Sequence, residues 1–171
     1  MIVRQFISWV RTASACVRAD ATRALARAWL VSGLSEEDRA AAEGALLMQL
    51  DDPSPLVRQA MAEVFARSAQ APAAIVQALS LDQPSVAVSI LEHSPLLIDA
   101  DLVDIVATGN SETQCAIARR IKLPASVCAA IAEEIKRPWS VGARRLPIRV
   151  CGRGRRRRVA PQFAKLRRDW L

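Results

Sequence analysis

The sequence contains no tyrosine, one histidine and three phenylalanines, and aromatic residues fill only 4% of its 171 positions. Sheets favour aromatic and β-branched side chains, so this scarcity, beside abundant alanine and leucine, points to closely packed helices. No stretch reaches the ~18 uninterrupted apolar residues that a membrane span needs. The longest charge-free run in the repetitive part, Ser68 to Leu81, is itself broken by Pro72. Arg4 and Arg11 interrupt the apolar start, so a secretory leader is not expected. The four cysteines, Cys16, Cys115, Cys128 and Cys151, form no C-x-x-C pair, and His93 has no cysteine near it. Metal or iron–sulfur ligation therefore has no support, and no cofactor is expected. Cys115 and Cys128 fall at helix positions that read as inward, where a free thiol acts as a small hydrophobe. Cysteines without a pattern suit a reducing cytoplasm, which is the expected location.

Chemistry-bearing motifs are missing too. The chain has no glycine-rich phosphate loop, no H-E-x-x-H and no G-x-S-x-G. His93 and Ser94 are adjacent, and neighbours at a helix end do not face one another. Asp101 and Asp104 share a helical face, but acids near a helix start are favoured by the dipole without any catalytic role. No catalytic residue is assigned, and the expectation is a protein that is not an enzyme.

What the chain does have is repetition. Val57-Arg58-x-x-Met61-Ala62, Val86-Ala87-x-x-Ile90-Leu91 and Thr113-Gln114-x-x-Ile117-Ala118 are three versions of one helical face, recurring after 29 and then 27 residues. A second face runs alongside: Ile75-Val76-x-x-Leu79, Leu102-Val103-x-x-Val106 and Val127-Cys128-x-x-Ile131, spaced 27 and then 25. Two short amphipathic helices in a period of that length predict an α-solenoid, since neither helix can bury its stripe alone. Punctuation agrees. Asp51-Asp52-Pro53-Ser54-Pro55, Ala71-Pro72, Asp82-Gln83-Pro84-Ser85, Ser94-Pro95, Gly109-Asn110-Ser111 and Leu123-Pro124 separate the stripes. Ser54 is expected to cap one helix, Asp99 another, and Asp20 an earlier one that runs to Leu30. Ser35 and Asp38 resemble a capping box opening a helix with Ala42, Leu46, Leu47 and Leu50 inward. Before these, from Met1 to Ser14, Ile2, Phe6, Trp9, Val10 and Ala13 are at helical spacing with Arg4 and Arg11 elsewhere. This suits a lid for the open end of the array or, as the alternative, a helix lying on an anionic membrane or a targeting peptide.

Asp52-Pro53-Ser54-Pro55-Leu56-Val57-Arg58, followed by Ala60 and Ala62, is similar to HEAT-type repeats and their leucine-rich-variant relatives. From about Ser35 to Glu134 the chain resembles an uncharacterised bacterial family of HEAT-like proteins, a domain of unknown function. The likeness rests on that string, on Leu91-Glu92-His93-Ser94-Pro95-Leu96-Leu97 with Asp101-Leu102-Val103, and on Gln114-Cys115-Ala116-Ile117-Ala118-Arg119. It implies a helical-repeat fold and no assigned chemistry, so no catalytic residue is carried across. Some leucine-rich-variant proteins hold an iron–sulfur module on a cysteine cluster, and this chain has no such cluster. Family members continue with further helices where this sequence turns basic.

The formal charge of +7 conceals a division. Residues 1–135 hold 11 Lys and Arg against 16 Asp and Glu, a net of −5, whereas residues 136–171 hold 13 against one, a net of +12. In the tail the helical period gives way to Arg144, Arg145, Arg149, Arg153 and Arg155 to Arg158, interleaved with Gly142, Gly152, Gly154, Pro147 and Pro161. Such a segment buries too little apolar surface to offset its ordering entropy. Three readings stay open: polyanion binding, folding back onto the acidic body, and a shifted reading frame. If ~8 arginines met phosphates, log K would fall with log salt at a slope near −7.

These readings give an all-α protein. A short α-solenoid of HEAT-like helix pairs spans 1–135, with capping helices over 1–34 and repeats over 35–135, followed by a disordered or poorly packed basic tail over 136–171. The expected function is a protein-interaction scaffold of unidentified ligand. Arg58, Glu92, Asp101, Asp104, Arg119 and Arg120 are its candidate exposed contacts, residues that equally suit ordinary solvated surface. An acidic or mixed face predicts a basic or amphipathic partner. The alternative is non-specific nucleic-acid binding through Arg144, Arg145, Arg153, Arg155, Arg156, Arg157 and Arg158. An array ending at Ile135 would leave an uncovered flank, predicting a homodimer through its last helix.

Overall fold

Eight helices and no strand make up the residues described by the computed structural model, which are 12–136. In chain order they are α1 (Ala15–Val31), α2 (Glu36–Gln49), α3 (Pro55–Phe65), α4 (Ala73–Ser80), α5 (Pro84–His93), α6 (Asp99–Thr108), α7 (Ser111–Ala118) and α8 (Ala125–Lys136). Of the expected lid, Met1 to Ser14, residues 1–11 lie outside the described residues, as do the arginines of the tail. No helix among those described is long and apolar enough to cross a membrane.

Breakers set the helix starts. Pro55 and Pro84 occupy the first turns of α3 and α5, where the missing N–H leaves no hydrogen bond unmade. Asn110 caps α7, its Oδ1 accepting the N–H groups of Glu112 and Thr113, both at 3.0 Å. Just before it, Gly109 follows α6 at a point of close approach. A Cβ there would run into the Ile105 carbonyl oxygen and the Thr113 hydroxyl.

Three expected caps differ. Asp20 lies inside α1, which begins at Ala15, and it pairs instead with Arg23 one turn on, Oδ1 to Nη1 at 3.0 Å. Ser54 makes no side-chain cap; its own N–H is held by the Asp52 carboxylate at 2.8 Å. Asp99 is the first residue of α6 rather than its cap. At α2 the Ser35 hydroxyl accepts the Asp38 N–H at 3.1 Å, but the Asp38 carboxylate returns to the serine hydroxyl and not to its backbone.

Helices pack with their next-but-one neighbours. The sequence α1, α3, α5, α7 is a continuous run of contacts, and α6 packs on α8. The even helices α2 and α4 lie against α1 and against α3 and α5 respectively. Both repeated faces form the interior: Val57, Met61 and Ala62, then Val86, Ala87, Ile90 and Leu91, then Ile117, with Ile75, Val76 and Leu79, then Leu102 and Val106, then Val127 from the other set. Small residues at Ala60, Ala62, Ala87 and Ala116 are almost wholly buried, consistent with close approach of the α1–α3–α5–α7 run. Trp29 meets Phe65 edge-on at 6.2 Å, and the Arg39 guanidinium lies 4.8 Å above the Trp29 ring.

Two inward assignments are corrected. Leu47 is exposed, because α2 turns Ala42, Ala45, Leu46 and Gln49 inward, and position 47 lies about 100° round the helix from 46. Cys115 is exposed for the same reason, one step off the stripe of Thr113, Ala116 and Ile117; Cys128 is half-buried.

Candidate functional site

Arg58, expected as an exposed contact, is a structural residue. Its Nε and Nη2 grip the Asp82 carboxylate, the latter at 3.0 Å, and its Nη1 donates to the Asp52 carbonyl. Two helices earlier, on α1, Arg18 does the same to Asp52, Nε to Oδ2 at 2.7 Å and Nη2 to Oδ1 at 2.8 Å, while its Nη1 reaches the Ala13 carbonyl at 2.8 Å. Arg18, Asp52, Arg58 and Asp82 thus form two successive forks, tying α1 to the turn before α3 and α3 to the turn before α5. Burial pushes the Asp52 and Asp82 carboxyls up. The arginine hydrogen bonds, backbone N–H donors and nearby positive charge outweigh it, holding both below their ordinary value of 3.8.

The other end of the odd helices carries the candidate site. An open groove of about 500 Å³ is lined by Arg67, Glu92, His93, Pro95, Arg120, Ile121 and Lys122. These residues come from the connectors that follow α3, α5 and α7 and from the last turn of α5. Arg120, another expected contact, is half-buried, and its guanidinium donates to the Leu91 and Ser94 carbonyls, both at 2.6 Å. Carbonyls at the end of α5 lack intrahelical partners, so this cation satisfies them and complements the helix dipole. Burial lowers the Arg120 pKa, partly offset by the Asp99 charge.

His93 sits in the same groove. Its Nδ1 lies 3.2 Å from the Ser89 carbonyl and its Nε2 lies 2.9 Å from Arg67 Nη2. A carbonyl only accepts and a guanidinium only donates, so these two contacts match the tautomer with its proton on Nδ1. The Glu92 carboxylate stands 3.8 Å from the same Nε2, beside the Arg67 contact.

The six expected contacts are therefore dispersed. Glu92 and Arg120 line the groove; Arg58 is locked in the ion-pair chain; Arg119 and Asp104 are exposed elsewhere. Asp101 accepts the Ile98 N–H at 3.4 Å, a weak helix-start contact. Reading by periodicity missed Arg67, Ile121 and Lys122, which lie in connectors. Ile121, 96% exposed, was legible only as an apolar residue stranded between Arg120 and Lys122. Among the described residues no group of three or more His, Cys, Asp or Glu is placed to hold a metal ion.

Residues 86–140 match the model of a family described as an uncharacterised protein conserved in bacteria (DUF2336). This segment takes in α5 to α8 and so two of the groove's three connectors. No curated protein and no solved structure matches the chain.

Proposed function

We propose that this chain is a non-enzymatic helical-repeat scaffold, a short α-solenoid of HEAT-like pairs, that binds another protein along the surface made by its stacked helices. The observation carrying this reading is the groove to which the ends of α3, α5 and α7 each contribute. A surface assembled from successive helices exists only because they stack, and extended surfaces of that kind are what repeat folds offer to partners. The cytoplasm is the proposed compartment. The test is capture from a bacterial lysate by the full chain, then reconstitution with one purified partner. A stoichiometric protein–protein complex is expected, with slowed hydrogen exchange at the groove connectors. Turnover of a small molecule by the purified chain, lost on mutation in the groove, would contradict it.

A second reading, polyanion binding, is favoured by the 13 Lys and Arg against one acid in residues 136–171. Here the captured material would be nucleic acid, released steeply by salt and lost when Arg155 to Arg158 are replaced by Gln. Self-association through α8 is proposed as well, supported by the exposed Ile135. Light scattering across a concentration series tests it, and a mass that stays monomeric throughout would end it.

A further inference from the structure

We infer that the groove at the ends of α3, α5 and α7 takes an acidic peptide segment carrying an aliphatic residue, which sits on Ile121 while its carboxylates pair with Arg67 and Lys122. This inference rests on the scaffold reading and names its ligand class. Three features lead to it. The groove's charged lining is Arg67, Arg120 and Lys122 against Glu92, and even with Asp99, whose charge acts on Arg120, the cations are in excess. That excess is local, because from Ser68 to Ala118 the sequence has six acids and no Lys or Arg. A body of net negative charge therefore presents a cationic rim at this end, and an acidic ligand is steered there rather than along the intervening helices.

The second feature is pre-organisation. Arg120 is pinned to two carbonyls of the α5 end, so the next two residues, Ile121 and Lys122, leave an anchored point. Arg67 uses one N–H on His93, which is itself oriented by the Ser89 carbonyl, and among the described residues its fork has no ion-pair partner. Fixed donors lose less entropy on binding than mobile ones. The third feature is Ile121, almost wholly exposed and flanked in sequence by Arg120 and Lys122. An aliphatic ligand residue covering it would remove apolar surface from water, while carboxylates on either side meet Arg67 and Lys122. Glu92, 3.8 Å from His93 Nε2, disfavours a carboxylate placed directly beside His93.

The probe is a fluorescein-labelled twelve-residue peptide alternating glutamate and leucine, titrated by anisotropy into the full chain. A companion with serine for leucine carries the same charge and reports attraction to the basic tail. The expected result is tighter binding of the leucine peptide, weakened about tenfold by Ile121→Ser and about fivefold by Lys122→Glu. Ile98→Ser, at another exposed isoleucine, should change nothing. Equal affinity for both peptides, or indifference to Ile121→Ser in a variant that melts like the parent, overturns the inference. If a purified protein partner still binds the Ile121→Ser variant normally, the groove assignment fails and the scaffold reading stands. If no protein partner binds at any face, the scaffold reading fails as well.

Discussion

The two halves of the helical body are stitched differently. From α1 to α5, the turn before each odd helix is held by a carboxylate gripped from the preceding odd helix, Arg18 to Asp52 and Arg58 to Asp82. From α5 onward the equivalent position in the repeated face is Ala87 and then Gln114. Gln114 Nε2 reaches the Val106 carbonyl at 2.9 Å, a neutral bond to backbone. Arg120, in this half, also bonds backbone carbonyls rather than a carboxylate. One buried helical face can thus recur along the sequence while the polar contacts that fasten it change.

Core substitutions give the largest expected effects and ask whether the halves share one interior. Ile90→Ala in α5, at full burial, should cost ~2–5 kcal/mol, as should Leu79→Ala in α4. Ile131→Ala in α8, only partly buried, should cost less than either; chemical denaturation of the three variants checks the order. A larger loss at Ile131 would move the core toward the C-terminal end.

Next come the fastenings. Arg120→Ala leaves two carbonyls without their donor and should cost about 2 kcal/mol, with faster hydrogen exchange at the end of α5. Asp82→Ala should cost about 1 kcal/mol, since its fork with Arg58 is partly screened by water. The pH response separates the halves. Asp52 and Asp82 are held below their ordinary value, so their contribution is complete above about pH 5 and fades as pH falls through and below 3.8. Between pH 5 and 3, therefore, hydrogen exchange should quicken around α1 and α3 before it does around α6 and α8. In Asp52→Asn with Asp82→Asn, that difference should shrink. The smallest effect is expected at Glu63→Ala, whose pair with Arg23 is exposed; a melt should register ~0–1 kcal/mol.

Much of this was legible in the sequence because helical spacing is local. Val57, Met61, Val86, Ile90, Leu102 and Val106 are buried where a stripe of that period places them. Proline and asparagine marked α3, α5 and α7 because they act within one turn. What escaped depends on neighbours distant in sequence. Asp52 lies 34 residues from Arg18, and Arg120 lies 29 from Leu91; no local pattern pairs them. The recurrence of an aspartate at 52 and 82, each in a proline turn, was the available hint for the forks, with Arg58 between them. Leu47 misled because apolar residues at 46 and 47 cannot both face one neighbour, and only the packing of α2 on α1 decides between them. The groove was hidden for a different reason. Net charge sums over a body and says nothing of where its cations gather, so the negative total predicted a basic partner while Arg67, Arg120 and Lys122 converge at one end.

Hydrogen exchange of the full chain, alone and saturated with a purified protein partner, is the most direct trial of the claim that stacked helix ends build the binding surface. Protection should appear together in the connectors after α3, α5 and α7, around Arg67, Ser94 and Ile121. Protection confined to one helix, or lying wholly outside those three connectors, would contradict it.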